Sequence, residues 1–441
     1  MAVAGGAANA GTGGVEQDAG SGPGGAANDA GANGAAGASG SAGTSGAAGA
    51  SGFAGASGSA GKGGSGGTSG AAGRGGSGGT SGAAGRGGSG AGGSAGSGGG
   101  SAGTGGGGIV NLIVSTEADE SDAGATPTSP GKTGFSLREA VTFANNTTGR
   151  QSITFDAAVA TIGLTAPLPT IQDAVGIKGI VVLDASANTS TSPCITVTAS
   201  DVTIDTLEIH DCRGEPVLFS SSSSTGNTLA NCYLHDNAKP AVVYGDGAVV
   251  SVNLITFSAA AGLEIYGKNV RLLSNNVAAS LATNYSIRDG ANGAYLLANT
   301  SIGGGDGIGL GAVTGITIWH STVVDAVYSG LNVGNATQVD ARNNVFVGAD
   351  NYGVRGADSA FSKFDHNLYF NNTSGHRNQG SLDATSLIGD PLFKDPSTFD
   401  YSLLSGSPAI NKGFNLGVDR NGSSTGLYNG SAPDIGCSES P

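Results

Sequence analysis

Two His-Asp pairs, His210-Asp211 and His235-Asp236, carry the residue types best suited to chemistry in this sequence. An imidazole beside a carboxylate is acid/base machinery or part of a metal-ligand set. The pairs lie 25 residues apart, with Glu208 and Lys239 close by. The competing reading is a solvated turn whose polar side chains repeat. A second set, Tyr244, Tyr266 and Arg288, is spaced by 22. Tyrosine rings on a flat face stack on sugars, and an arginine adds affinity for acidic ones. Equally, such rings form a ladder that stabilises a sheet. Trp319 and His320 stand alone and are predicted at the surface. The sequence brings together neither the converging carboxylates of a glycosidase nor the base beside calcium-binding acids of a lyase.

The element that must position these residues is a repeat. Between Pro193 and Gly375 apolar residues recur every 21 to 25 positions. One file reads Val197, Phe219, Val243, Ile265, Ile287, Leu310, Val333, Val354. Two residues before each stands Ile195, Val217, Ala241, Leu263, Tyr285, Ile308, Leu331 or Tyr352. Period-two pairs of this kind are strand interiors. A second file reads Ile204, Leu229, Val252, Leu273, Leu296, Ile318, Ala341, Phe364, and three residues after its later members come Asn276, Asn299, Ser321, Asn344 and Asn367. Asparagine once per coil predicts a structural ladder that satisfies polar groups at a tight bend. Leucine-rich and propeller repeats have other patterns and periods. The pattern predicts an all-β, right-handed parallel β-helix, similar to the pectin-lyase-like proteins. At about 4.8 Å per coil, about eight or nine coils give a rod roughly 40 Å long. The 25-residue spacing then stacks His235-Asp236 on His210-Asp211.

Composition divides the chain. Of 83 glycines most precede residue 109, and from Gly31 to Gly88 glycine falls at every third position. The twelve residues Ser65–Gly76 repeat unchanged as Ser77–Gly88. Residues 1–108 cannot bury enough apolar area to fold as a globule. They read as a flexible stalk or linker, or as polyproline-II strands that assemble homo-oligomers through residues 31–88. Residues 1–108 balance Glu16, Asp18 and Asp29 against Lys62, Arg74 and Arg86, so the net charge of −14 belongs to the remainder. Such a surface repels phosphate backbones and excludes nucleic acid as partner. No run of about 20 apolar residues predicts a bilayer span. Residues 1–15 lack the pattern of a secretory signal, and Met1 is read as a trimmed start. The four cysteines, Cys194, Cys212, Cys232 and Cys437, form no zinc pattern. One or two disulfides, or free buried thiols, fit equally.

Residues 109–192 read as an amino-terminal cap with the first coils. An alternating run, Ile109–Val114, is a strand. Ser136 and Glu139 have capping-box spacing, and Leu137, Ala140, Val141 and Ala144 make one apolar helix face ending at Asn145-Asn146. The pieces Ser136-Leu-Arg-Glu-Ala140, Ala144-Asn145, Ile153-Thr-Phe-Asp156 and Leu168-Pro-Thr-Ile171 resemble secreted bacterial β-helix proteins carrying the CSLREA motif. Phe135 stands where that family usually has cysteine, so a cap disulfide is absent and Phe135 must substitute by packing. Residues 193–375 are the β-helix repeats, and residues 376–441 a turn-rich segment expected to pack on the last coils. There, Gly389-Asp-Pro-Leu-Phe-Lys-Asp395, Asp400-Tyr401, Gly406-Ser-Pro-Ala-Ile-Asn-Lys-Gly413 and Pro433-Asp-Ile-Gly436 resemble the end of surface β-helix proteins described as choice-of-anchor Q. That family continues into an anchoring tail, which is not found before Pro441.

These readings lead to a secreted or cell-surface β-helix protein, non-enzymatic, presenting a rigid rod for adhesion or contact with polysaccharide or cell-surface glycan. The alternatives are a polysaccharide lyase or glycoside hydrolase of the pectin-lyase-like class, and a fibre-forming protein assembled through the glycine-rich tract. No cofactor or metal is assigned, with calcium left open.

Overall fold

The computed structural model describes residues 109–420 and 425–441. The chain divides into two units, Met1–Ser97 and Gly98–Pro441. The stalk and assembly readings of residues 1–108 lie outside the described residues.

Strand alternation decides the architecture. In the strand Thr203–His210, Ile204, Leu207 and Ile209 are buried while their neighbours face outward. The chain then turns and comes back in parallel, so that like residue lies over like. The inward file Leu112, Ile153, Ile177, Ile204, Leu229, Val250, Leu272, Leu296, Ile318, Ala341, Phe364 runs the length of the described structure. A 20-stranded and a nine-stranded sheet, both parallel throughout, wrap this core in about ten turns of a right-handed β-helix.

The corners explain the polar residues. Two files of left-handed backbone bend each coil. Thr206, Asn231, Val252, Ser274, Ala298, His320, Asn343 and His366 form one, with φ from +52 to +64°. Asp211, Asp236, Phe257, Ala279, Gly303, Asp325, Gly348 and Asn371 form the other. Glycine, asparagine and aspartate tolerate this conformation best, which accounts for many of these identities. Directly after the first corner comes the asparagine file. Asn253, Asn275, Asn299, Asn344 and Asn367 each accept a main-chain N–H from the preceding coil, and each Nδ2 donates to a main-chain carbonyl of that same preceding coil. Ser321 donates its N–H to Asn344 Oδ1 at 2.8 Å.

Four register expectations are corrected here. Val250, not Val252, and Leu272, not Leu273, are the inward members of their coils. Val252 is a corner residue and 57% exposed. Moving the file to Leu272 moves the ladder position from Asn276 to Asn275, and Asn276 instead begins the strand Asn276–Ala278 on the outer face. At the far end Val354 pairs with Leu331 rather than Val333, and Tyr352 pairs with Ser329. That coil is two residues longer than the apolar pattern suggested, with Val354 rather than Tyr352 buried in line with Leu331.

The helix Leu137–Asn145 begins with both halves of the capping box and buries Leu137, Ala140, Val141 and Ala144 in the core. Phe135 is buried, edge-on to Phe143 at 6.4 Å. Cys194 and Cys212 form a disulfide across an 18-residue loop. Cys232 is a free, buried thiol at the head of the asparagine file, and burial pushes its pKa up to about 12.

The carboxy-terminal segment does more than pack on the last coils. After the antiparallel pair Phe393–Asp395 and Asp400–Leu403, it runs back along the outer face. Ala409 and Ile435 pack on Val345 and Leu368. Cys437 N–H donates to Thr322 Oγ1, and Thr300 Oγ1 donates to Cys437 Sγ at 3.4 Å. This strap buries His320, correcting its predicted surface position. His320 Nδ1 meets the Asp434 carbonyl at 3.1 Å and Nε2 accepts from Asn343 Nδ2 at 3.0 Å. Burial, reinforced by the Arg420 charge, pushes the His320 pKa down to about 3. Trp319 is not alone either: Nε1 donates to Asp340, and Arg342 lies 5.3 Å over its ring.

Three outcomes follow from these contacts. Asn275→Ala strands the Asn253 main- and side-chain donors and costs about 2–3 kcal/mol in urea unfolding, while Asn276→Ala costs less than about 1 kcal/mol. Opening the Cys194–Cys212 bridge costs about 3 kcal/mol, seen as a lower unfolding midpoint on adding reductant that a double serine variant does not show. His320 takes up a proton in the unfolded chain below about pH 6.5 but in the folded chain only near pH 3, so its share of stability is full above pH 6.5 and is lost on acidification. Between about pH 6.5 and 5 the decline approaches 1.4 kcal/mol per pH unit, and His320→Asn flattens it in urea titrations.

Candidate functional site

Glu208 and His210 are two residues apart on one strand, so both point outward while Leu207 and Ile209 anchor the strand in the core. One coil later the strand Tyr233–His235 lies in register, Tyr233 over Glu208 and His235 over His210. The imidazole rings stack at 4.9 Å and 23°. Tyr233 stacks on His235 at 4.2 Å.

Asp211 and Asp236 are the corner residues that follow. Their left-handed backbone swings each carboxylate back onto its own histidine: Asp211 Oδ2 lies 2.8 Å from His210 Nδ1, and Asp236 Oδ2 lies 2.7 Å from His235 Nδ1. His235 Nε2 stands 3.2 Å from Glu208 Oε1. On the coil before, Asp184 pairs with His210 in the ladder, and its carboxylate reaches to 3.9 Å from Nδ1. The Ser186 N–H and hydroxyl hold the Asp184 carboxyl below its ordinary range. Two imidazoles thus sit among four carboxylates.

The patch lies between two shallow hollows. One, of about 430 Å³, is lined by Ser186, Asp211, Arg213, Asp236 and Phe257. The other, of about 190 Å³, is lined by Val182, Thr206, Glu208, Asn231 and Tyr233 beside Ile180, which is 90% exposed. Lys239 turns away to Glu215 at 3.4 Å. Asp184 and Tyr233 had no mark in the sequence beyond their coil spacing from His210 and Glu208.

The other candidate set is separate. Tyr244 and Tyr266 stack on each other at 4.5 Å, so each ring has one face covered. Glu264 accepts from the Tyr266 hydroxyl at 3.2 Å and pairs with Arg288. The arginine charge is therefore already answered on the sheet.

Among solved structures the chain is similar to pectate lyase Pel9A, at 15% identity and a TM-score of 0.53, over 75% of this chain and 96% of that one. That likeness shows the fold. A periplasmic alginate epimerase, AlgG, is 12% identical with a TM-score of 0.37 over 54% of this chain and 75% of that one. A lacto-N-biosidase from Eubacterium ramulus is 9% identical with a TM-score of 0.40 over 63% of this chain and 67% of that one. No curated protein matches the chain in sequence. Among the described residues no helix is long and apolar enough to cross a membrane. A family model described as "Periplasmic copper-binding protein (NosD)" matches residues 184–406, just over half of the sequence, and the chain belongs to that family.

Proposed function

We propose that this protein is an extracytoplasmic, non-catalytic β-helix that docks a neutral glycan chain along the bare part of its outer face. One observation carries the reading. The outward file Val182, Glu208, Tyr233, Leu254, Asn276 is left open, while the strap covers its continuation at Thr300, Thr322, Val345 and Leu368. At about 4.8 Å per coil the bare stretch is roughly 20 Å long, room for a few sugar units. Tyr233 and Leu254 offer apolar contact, and the surrounding carboxylates accept hydrogen bonds from hydroxyls. The net charge of −14 disfavours acidic polymers.

Several features support binding over turnover. Both hollows are open to water, whereas acid/base chemistry uses enclosed sites. A glycosidase needs one carboxyl held protonated, and Asp184 is held the other way. Asp306 and Asp325, whose carboxyls burial pushes up, lie on coils beyond this face. The periplasmic family and the disulfide support an extracytoplasmic site of action. The CSLREA-like and anchor-like segments support display at a cell surface, with residues 1–108 as spacer or as a route to homo-oligomers.

A second reading comes from the family description, copper binding. The observation favouring it is that three ligand-capable side chains, Glu208, His210 and His235, converge on this same face.

Glycan-array binding, run beside reducing-end and unsaturated-product assays, tests the first reading. Neutral polymers are expected to bind, Tyr233→Ala to weaken them about tenfold, and no product to form. Turnover lost in Asp211→Asn or Asp236→Asn would establish the enzyme instead. Absence of glycan binding sinks the docking proposal.

A further inference from the structure

We infer that Glu208, His210 and His235 form a binding site for a first-row transition-metal dication, copper(II) or zinc(II), with Asp211 and Asp236 as its positioning residues. The inference rests on the second reading above and assigns its donors.

The hydrogen bonds fix which nitrogens are available. A carboxylate accepts and does not donate. Asp211 Oδ2 and Asp236 Oδ2, at 2.8 and 2.7 Å, therefore place each imidazole proton on Nδ1. In the neutral ring that arrangement leaves Nε2 with its lone pair, as a metal ligand must have. A carboxylate on the far nitrogen is also the outer arrangement that orients metal-binding histidines.

His235 Nε2 then faces Glu208 Oε1 at 3.2 Å. A proton on Nε2 makes this contact a hydrogen bond, and a metal ion between the same two atoms takes that proton's place. The separation suits one ion shared by both atoms, because nitrogen and oxygen donors bind zinc at about 2.0–2.2 Å. His210 adds the third donor, and the ligand atoms of all three residues lie within 4.8 Å of one another. Imidazole with carboxylate selects copper or zinc, whereas calcium takes six to eight oxygens.

The fold supplies this set at no cost in loop order. Glu208 and His210 come from one strand, and His235 comes from the next coil by register. Another cluster, Glu120, Asp122 and Glu139, differs in kind. It holds no imidazole, and both Glu139 oxygens already accept the N–H groups of Asp122 and Ser136. An ion held by Glu208, His210 and His235 would tie two coils together, so its binding stabilises the fold.

The full chain, dialysed against chelator, is titrated calorimetrically with copper(II), zinc(II) and calcium, and melted with and without each ion. One copper or zinc ion per chain is expected, with a raised melting temperature and no calcium uptake. His235→Ala and Glu208→Gln should each weaken binding at least tenfold, and Asp236→Asn by about 10–100-fold. Metal-free melts of these variants check that they fold, and the near-isosteric Glu208→Gln stands in should His235→Ala not. Copper binding untouched by these substitutions overturns the assignment and leaves the copper reading standing. Calcium uptake lost in Glu208→Gln overturns the metal class. No binding of copper or zinc overturns both.

Discussion

Every coil of this protein depends on its neighbours for its backbone hydrogen bonds. Successive residues turn their N–H and carbonyl groups alternately to the coil before and the coil after, as Leu254 N–H does to Cys232 and Val252 N–H does to Leu273, so each turn must present its donors at the height and angle where its neighbours expect them. Inward valines and leucines, corner residues and the asparagine file are all consequences of that single demand. The asparagines serve where strands cannot: at the first corner the backbone turns away from ladder geometry, and an amide side chain, donor and acceptor at once, fills the break. Cys232 stands at the end of the file, its thiol taking the place of the amide toward the Ile204 carbonyl at 3.8 Å.

The same demand explains what could be read before any coordinates. The capping box is local, and Ser136 with Glu139 announces the helix without reference to the rest of the chain. The 25-residue spacing sufficed to stack His210 and His235. The slips came where one coil offers two adjacent solutions. Val250 and Val252 have the same chemistry, and Leu272 and Leu273 are the same residue type. Asn275 and Asn276 are neighbours of one type, of which only Asn275 meets its counterparts above and below. Deciding between them requires the corner positions, which depend on every other coil. His320 was beyond reach for a different reason: the strap residue that covers it, Asp434, lies 114 positions later.

The candidate site sits on strands paired in register, Glu208 under Tyr233 and His210 under His235. Its histidines are oriented by corner aspartates, and the corner conformation by itself already favours aspartate. Structural and chemical requirements coincide at Asp211 and Asp236, which is why sequence alone could not separate a polar turn from a site. Asp365 and His366 show the same pairing at 2.9 Å in reversed order, with the histidine at the corner. What distinguishes the first patch is its second imidazole, one coil on, and Glu208 beside it.

Cys232 has a consequence for how the chain matures. Disulfide exchange proceeds through thiolate, and a thiol with a pKa near 12 is almost wholly protonated at neutral pH. Once the coils have closed around it, Cys232 is no nucleophile, although Cys212 lies on the adjacent coil. The bridge between Cys194 and Cys212 is thereby protected from shuffling by this core sulfur, and an oxidising compartment can set it once and leave it in place.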